Sequence, residues 1–195
     1  MKRKLTNALW PALCCGFLLS STALADYEEG VTAAQNGDYA TALREFREAA
    51  DGGLDLAQYN LAIMYFTGRG VDQDYEEAFR WTLAAAEQGH LNAQFNLGAL
   101  YYTGAGTAVD LKQSFEWYLK AAEAQHGEAQ YNLATMYELG EGTEQDLVQA
   151  HFWASASLYN EFSDAPALLQ TLATKMSAEQ LSEARGTFAR WRLAQ

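Results

Sequence analysis

Residues 57–65 read AQYNLAIMY, residues 93–101 read AQFNLGALY and residues 129–137 read AQYNLATMY. The nonamers recur every 36 residues, and the segments after them stay in register: FTGRGVDQDYEEAFRWTLAAAEQGH, YTGAGTAVDLKQSFEWYLKAAEAQH and ELGEGTEQDLVQAHFWASASLYNEF. A fixed period of this length marks a stacked architecture, because one such unit cannot bury its apolar face without its neighbours. Within the nonamer, Ala57, Leu61 and Tyr65 lie four residues apart, as do Ala93, Leu97, Tyr101 and Ala129, Leu133, Tyr137. Each trio therefore falls on one face of a helix.

Gly68, Gly104 and Gly140 stand where such a helix would end on a left-handed residue, and Gly70, Gly106 and Gly142 loosen the same turn two residues on. This GxG is a helix stop, since a phosphate-binding reading would need a preceding strand and none is suggested. A second helix begins at Asp74, Asp110 and Asp146, with Glu77, Gln113 and Gln149 three residues later, which predicts capping boxes. Along it run Ala78, Trp81, Ala85, then Ser114, Trp117, Ala121, then Ala150, Trp153, Ser157. Small residues allow close helix approach, so the tryptophans are read as packing residues. The predicted fold is all-α, an α/α superhelical solenoid of antiparallel helix hairpins with repeats at 55–90, 91–126 and 127–162.

The flanks are expected to differ from the middle. Residues 26–54 align with the second helix at the same offset, Asp38 on Asp74 and Ala42 on Ala78, but lack the nonamer, and so read as a degenerate capping hairpin. Residues 163–195 read as closing helices: Pro166 suits a first turn, Ser177 and Gln180 make a capping box, and Leu181, Ala184, Phe188 and Trp191 form an apolar stripe. At the other end, Lys2, Arg3 and Lys4 precede an apolar run ending in Ala23-Leu24-Ala25, a secretory signal expected to be cut after Ala25. Both cysteines, Cys14 and Cys15, leave with it. The exported chain is then expected to have no disulfide, no thiolate nucleophile and no integral membrane association, in the periplasm or secreted.

Without the leader, ten Lys and Arg oppose 25 Asp and Glu, a balance of about −15. Such a charge repels phosphate backbones and anionic lipid, excludes nucleic acid as a partner and favours a protein partner with a basic surface. His90, His126 and His151 show no metal-ligand spacing and read as surface residues. SxxK, KTG and GxSxG are absent, so no serine acylation signature supports an enzyme. No cofactor and no metal are expected.

The pattern AxxxLGxxYxxGxG followed by an aspartate, A-x-x-W and a KAAEQG-like ending resembles the Sel-one-like repeat, a relative of the tetratricopeptide repeat. Ala93, Leu97, Gly98, Tyr101, Gly104 and Gly106 carry its first half; Trp81 and residues 85–89 carry its second. The chain departs where Gly89 becomes Gln125 and where the third copy ends in SLYNE. The resemblance implies a non-enzymatic scaffold or adaptor of the bacterial cell envelope, holding a partner peptide or helix in a concave groove lined by first helices. Carried over position by position, that groove presents Tyr59, Phe95 and Tyr131, then Phe66, Tyr102 and Glu138, with Asn60, Asn96 and Asn132 beside them. Three asparagine amides in a row could clamp a peptide backbone, or each could tie down an adjacent helix end. Two alternatives come with the resemblance: β-lactam binding or hydrolysis, as linked to cysteine-rich exported relatives, and assembly of exported polysaccharide.

Overall fold

In the computed structural model, which describes residues 21–194, ten helices and no strand are found among the described residues. They are α1 (Ser21–Gln35), α2 (Tyr39–Asp51), α3 (Asp55–Thr67), α4 (Tyr75–Glu87), α5 (Leu91–Thr103), α6 (Leu111–Glu123), α7 (Gly127–Leu139), α8 (Leu147–Tyr159), α9 (Ala165–Lys175) and α10 (Ala178–Arg192). Successive helices pack pairwise from α1 to α9, and α10 returns to pack on α8. The chain is thus an α/α solenoid of antiparallel hairpins. The apolar run assigned to a secretory leader lies outside the described residues, apart from the first residues of α1. No described helix is long and apolar enough to cross a membrane.

The periodic face forms the core. Ala57, Leu61, Ala93, Leu97, Ala129 and Leu133 are fully buried, and Trp81, Trp117 and Trp153 are buried between hairpins. The third residue of each trio reaches the neighbouring unit: Tyr101 meets Phe79 edge-on at 5.2 Å between ring centroids, and Tyr137 meets Phe115 at 5.1 Å. Inter-hairpin stitching comes from a nonamer residue outside the apolar trio. The amides of Gln58, Gln94 and Gln130 donate to the carbonyls of Ala50, Ala86 and Ala122 at the end of the preceding helix.

The turn chemistry arises from the same repeats. Gly68, Gly104 and Gly140 end α3, α5 and α7 with φ of 71°, 75° and 73°, and each amide donates to the last-turn carbonyl four residues back. The second glycine of each pair does more than loosen the turn. A Cβ on Gly106 would stand 1.9 Å from the Tyr75 carbonyl oxygen, and one on Gly142 would stand 2.1 Å from that of Leu111. The turn of one hairpin is therefore seated on the start of the second helix of the hairpin before it. Only a residue without a side chain fits there.

Asp74, Asp110 and Asp146 cap α4, α6 and α8 through their carboxylates. The reciprocal half of the expected boxes is not made: Glu77 instead accepts from Arg80 and from the Trp81 indole, and the Gln113 amide donates to Glu116. At α10 the full box of Ser177 and Gln180 does form. The altered ending of the later copies also keeps its geometry. Gln125 (φ 65°) and Glu161 (φ 63°) occupy the left-handed conformation that Gly53 and Gly89 adopt at equivalent positions.

Candidate functional site

Tyr59, Phe95 and Tyr131 are equivalent positions on the first helices, and each ring packs on the residue 31 places later. Tyr59 stacks on His90 at 4.4 Å between centroids, Phe95 stacks on His126 at 4.6 Å, and Tyr131 tilts against Phe162 at 5.1 Å. The two histidines are not bare surface residues. Each is the N-cap of the next first helix: Nδ1 of His90 accepts from the Ala93 amide and Nδ1 of His126 from the Ala129 amide, both at 3.2 Å. Partial burial holds both imidazoles below their usual pKa, favouring the neutral ring that this acceptor role needs. The signal for this was present, since each histidine stands three residues before the alanine that opens a nonamer.

Between consecutive first helices lie two cavities related by the repeat period. One of about 340 Å³, between α3 and α5, is lined by Tyr59, Ala62, Ile63, Phe66, Thr82, Asn96, Ala99 and Leu100. The other, of about 240 Å³ between α5 and α7, is lined by Tyr102, Tyr118, Tyr131, Asn132, Thr135, Met136 and Glu141. Phe66 and Tyr102, Asn96 and Asn132, and Thr82 and Tyr118 are repeat equivalents. Where the first hairpin has Ala62 and Thr82, the second has Gly98 and Tyr118, whose ring packs against the glycine and lines the smaller cavity. Phe66 is 41% exposed and Tyr102 39% exposed, so both rings stand at the cavity mouths.

The structure divides the predicted site residues. Tyr59, Phe66 and Asn96 come together at the first cavity, and Tyr102, Tyr131 and Asn132 at the second, while Asn60 and Phe95 line neither. The asparagines are not three copies of one device. Asn60 donates to the Leu56 carbonyl of its own helix at 2.8 Å, Asn132 lines the second cavity beside Tyr118, and Asn96 faces the larger cavity. Glu138 departs furthest from the groove reading. It is 8% exposed and forms an ion pair of 2.7 Å with Lys175 at the end of α9, so the closing helix covers the third equivalent of Phe66 and Tyr102.

Titratable groups offer no convergent chemistry at these cavities beyond Glu141 and the phenols. The Asp26, Glu45 and Glu48 carboxylates approach one another elsewhere, at the α1–α2 hairpin, where Arg44 already pairs with Glu45. His151 is buried in α8, its ring nitrogen 3.3 Å from the Ser155 hydroxyl, which itself donates to the His151 carbonyl.

Comparison with solved structures finds the same architecture. A Sel1 repeat protein from Oxalobacter formigenes is 27% identical, with a TM-score of 0.72 over 75% of this chain and 62% of that one. A protective antigen of uropathogenic Escherichia coli displaying an SLR fold is 27% identical, with a TM-score of 0.52 over 87% of this chain and 45% of that one. Cysteine rich protein B of Helicobacter pylori, 19% identical over 65% of this chain and 96% of that one, shares the fold with a TM-score of 0.52. This chain therefore spans less than two thirds of the length of the first two. No curated protein matches it significantly. The model of the Sel1 repeat matches residues 55–90, 91–126 and 127–158, more than half of the sequence. With its nonamers, its paired glycines and its stacked hairpins, the chain belongs to the Sel1 repeat family, whose members generally serve as protein–protein interaction scaffolds.

Proposed function

We propose that this protein is an exported, non-enzymatic adaptor of the bacterial cell envelope that holds a segment of a partner protein along the face built by α3, α5 and α7. The observation that carries this reading is the pair of cavities repeated at the 36-residue period, with Phe66 and Tyr102 exposed at their mouths. A surface repeated in register suits an extended or helical segment, which meets successive units with successive side chains. The acidic balance of the chain favours a basic segment. The apolar run behind Lys2, Arg3 and Lys4 supports export.

Phe66 and Tyr102 make the clean test, because Tyr59, Phe95 and Tyr131 also support the packing between hairpins. A photoreactive phenylalanine analogue at exposed Thr103 is expected to crosslink a partner in intact envelopes. Phe66→Ala with Tyr102→Ala is expected to abolish that product while the far-ultraviolet circular dichroism stays unchanged. Undiminished crosslinking in the double variant would refute docking on this face. Hydrolysis of a chromogenic β-lactam by the purified protein is expected to stay at background, and turnover lost on changing a single residue would overturn the non-enzymatic reading.

A further inference from the structure

The cavity between α5 and α7 differs in chemistry from its apolar counterpart one repeat earlier. Three tyrosines, Tyr102, Tyr118 and Tyr131, line it together with Asn132 and one carboxylate, Glu141. The Tyr102 hydroxyl donates to Glu141 Oε2 at 2.9 Å, which fixes the carboxylate among the rings. Tyr118 is buried, with Asn132 beside it in the lining. Burial pushes the Tyr118 phenol up to about 12, and the bond to Glu141 raises Tyr102, so both rings stay neutral. Phenol faces and one anion attract a cation.

Elsewhere the protein fills such environments with its own basic side chains. Arg80 lies over Trp81 at 4.2 Å while bonding Glu77, Lys120 lies over Trp117 at 3.6 Å, Arg47 lies over Tyr65, and Lys175 pairs with Glu138. No Lys or Arg lines this cavity, and none forms an ion pair with Glu141 among the described residues. One carboxylate is too few for a divalent metal ion, which takes several oxygen ligands. A guanidinium can stack on a ring and bond a carboxylate at once.

We infer that the tyrosine-lined cavity at Glu141 is a cage for an arginine or lysine side chain of the bound partner segment, one repeat along from an apolar cavity lined by Phe66 and Ile63. The inference rests on the adaptor reading for its occupant and deepens it. The partner segment carries a basic residue for the cage and an apolar residue for the larger cavity.

The test uses the purified full chain, expressed with its own N-terminal segment and ¹⁵N-labelled, titrated with N-acetyl-arginine methylamide and with the uncharged citrulline analogue. Arginine is expected to shift the amide resonances around Tyr102, Tyr131 and Glu141, citrulline to leave them unmoved, and Glu141→Gln to weaken the arginine effect about tenfold, as loss of a charged partner implies. Equal shifts with citrulline, no shifts with arginine, or full retention in Glu141→Gln would each overturn the cage. The two readings separate. If these titrations fail while Phe66→Ala with Tyr102→Ala still abolishes envelope crosslinking, the cage falls and the adaptor stands. If the arginine shifts are seen but crosslinking ignores Phe66 and Tyr102, the cavity takes a guanidinium but a partner segment docked on this face is not its source, and the proposed occupant falls with the adaptor reading.

Discussion

Tyr118 packs its ring directly on Gly98: a Cβ built on that glycine would stand 2.7 Å from Tyr118 Cδ1 and 2.8 Å from Cε1. The pair is a local exchange of volume between two helices of one hairpin. The preceding hairpin makes the opposite choice, with Ala62 on the first helix and Thr82 on the second, and keeps a cavity of about 340 Å³ in the space so left. This pair separates the two cavities together with the exchanges of Phe66 for Tyr102, Leu100 for Met136 and Ala105 for Glu141.

Gly98→Ala is expected to destabilise the protein despite the better helix propensity of alanine. Overpacking of a buried ring costs about 1–3 kcal/mol, against roughly 1 kcal/mol gained from removing a helical glycine. Adding Tyr118→Thr to Gly98→Ala recreates the arrangement of the preceding hairpin. That double variant removes the clash but empties the space of the ring, a large-to-small core change, so its urea midpoint should fall further while the cavity between α5 and α7 enlarges and admits xenon. Equal stability of Gly98→Ala and the parent protein would mean that the ring shifts without cost.

The two glycines of each turn are expected to respond very differently to alanine. At Gly140 the added Cβ meets nothing closer than 3.3 Å, so Gly140→Ala carries the left-handed backbone strain of about 1–2 kcal/mol. At Gly142 the same strain is joined by a clash at 2.1 Å with the Leu111 carbonyl oxygen, which only separation of neighbouring hairpins can relieve. Gly142→Ala should therefore lower the urea midpoint several times further than Gly140→Ala. Similar midpoints would show that the seating of one turn on the next helix is loose.

Much of this was legible in the sequence because it rests on local chemistry repeated in register. The face of Ala57, Leu61 and Tyr65, the left-handed stop at Gly68 and the Asp74 cap each depend on a few adjacent residues, and three copies turn a weak signal into a firm one. What was not legible depends on partners distant in sequence. Glu138 aligns with Phe66 and Tyr102, yet its fate is decided by Lys175, 37 residues on. Asn60, Asn96 and Asn132 look alike in the nonamer, but the hairpin before each places a different residue, Phe46, Thr82 and Tyr118, at the equivalent position. The Glu77 half of the expected box failed because Arg80 and Trp81 compete for the same carboxylate.

Gln125 and Glu161 hold positive φ at positions where Gly53 and Gly89 do so without steric cost. Replacing either by glycine relieves the strain of a Cβ in the left-handed region, about 1 kcal/mol. Gln125→Gly and Glu161→Gly are each expected to raise the thermal midpoint, with additive effects because they lie in separate hairpins. A drop in midpoint at either site would show that its side chain contributes more than its backbone costs.

Acid is expected to weaken the array through its histidines. His90 and His126 cap helices as neutral acceptors, and burial lowers both from an ordinary 6.5, as it does His151 beside Arg185. With folded values below the unfolded one, their contribution is fully present above about pH 6.5 and is lost as pH falls toward the folded values. Urea unfolding followed from pH 8 to 5.5 should show this loss. His90→Asn with His126→Asn, which keeps a capping oxygen without a titrating ring, should flatten the slope whatever it does to absolute stability. An unchanged slope in that variant would place the acid sensitivity elsewhere.

The pair of Glu138 and Lys175 decides whether α9 is held at the end of the array or can leave it. Glu138 is buried, so removing its partner leaves an uncompensated carboxylate; Lys175 keeps about half of its side chain in water, which screens the pair. Lys175→Met is therefore expected to cost about 1–2 kcal/mol, less than the loss of a fully buried pair. Adding Glu138→Met removes the stranded charge and should return most of that stability, since an apolar side chain at a buried position leaves no carboxylate to solvate. Because Glu138 is the third equivalent of Phe66 and Tyr102, freeing α9 in Lys175→Met would also uncover a further stretch of the first-helix face. Hydrogen exchange separates these effects: the single variant should lose protection in α9 before α7, and the double variant should regain it. Protection in α9 that is unaltered by Lys175→Met would mean that Leu168 and Leu172 hold the helix without help from the ion pair.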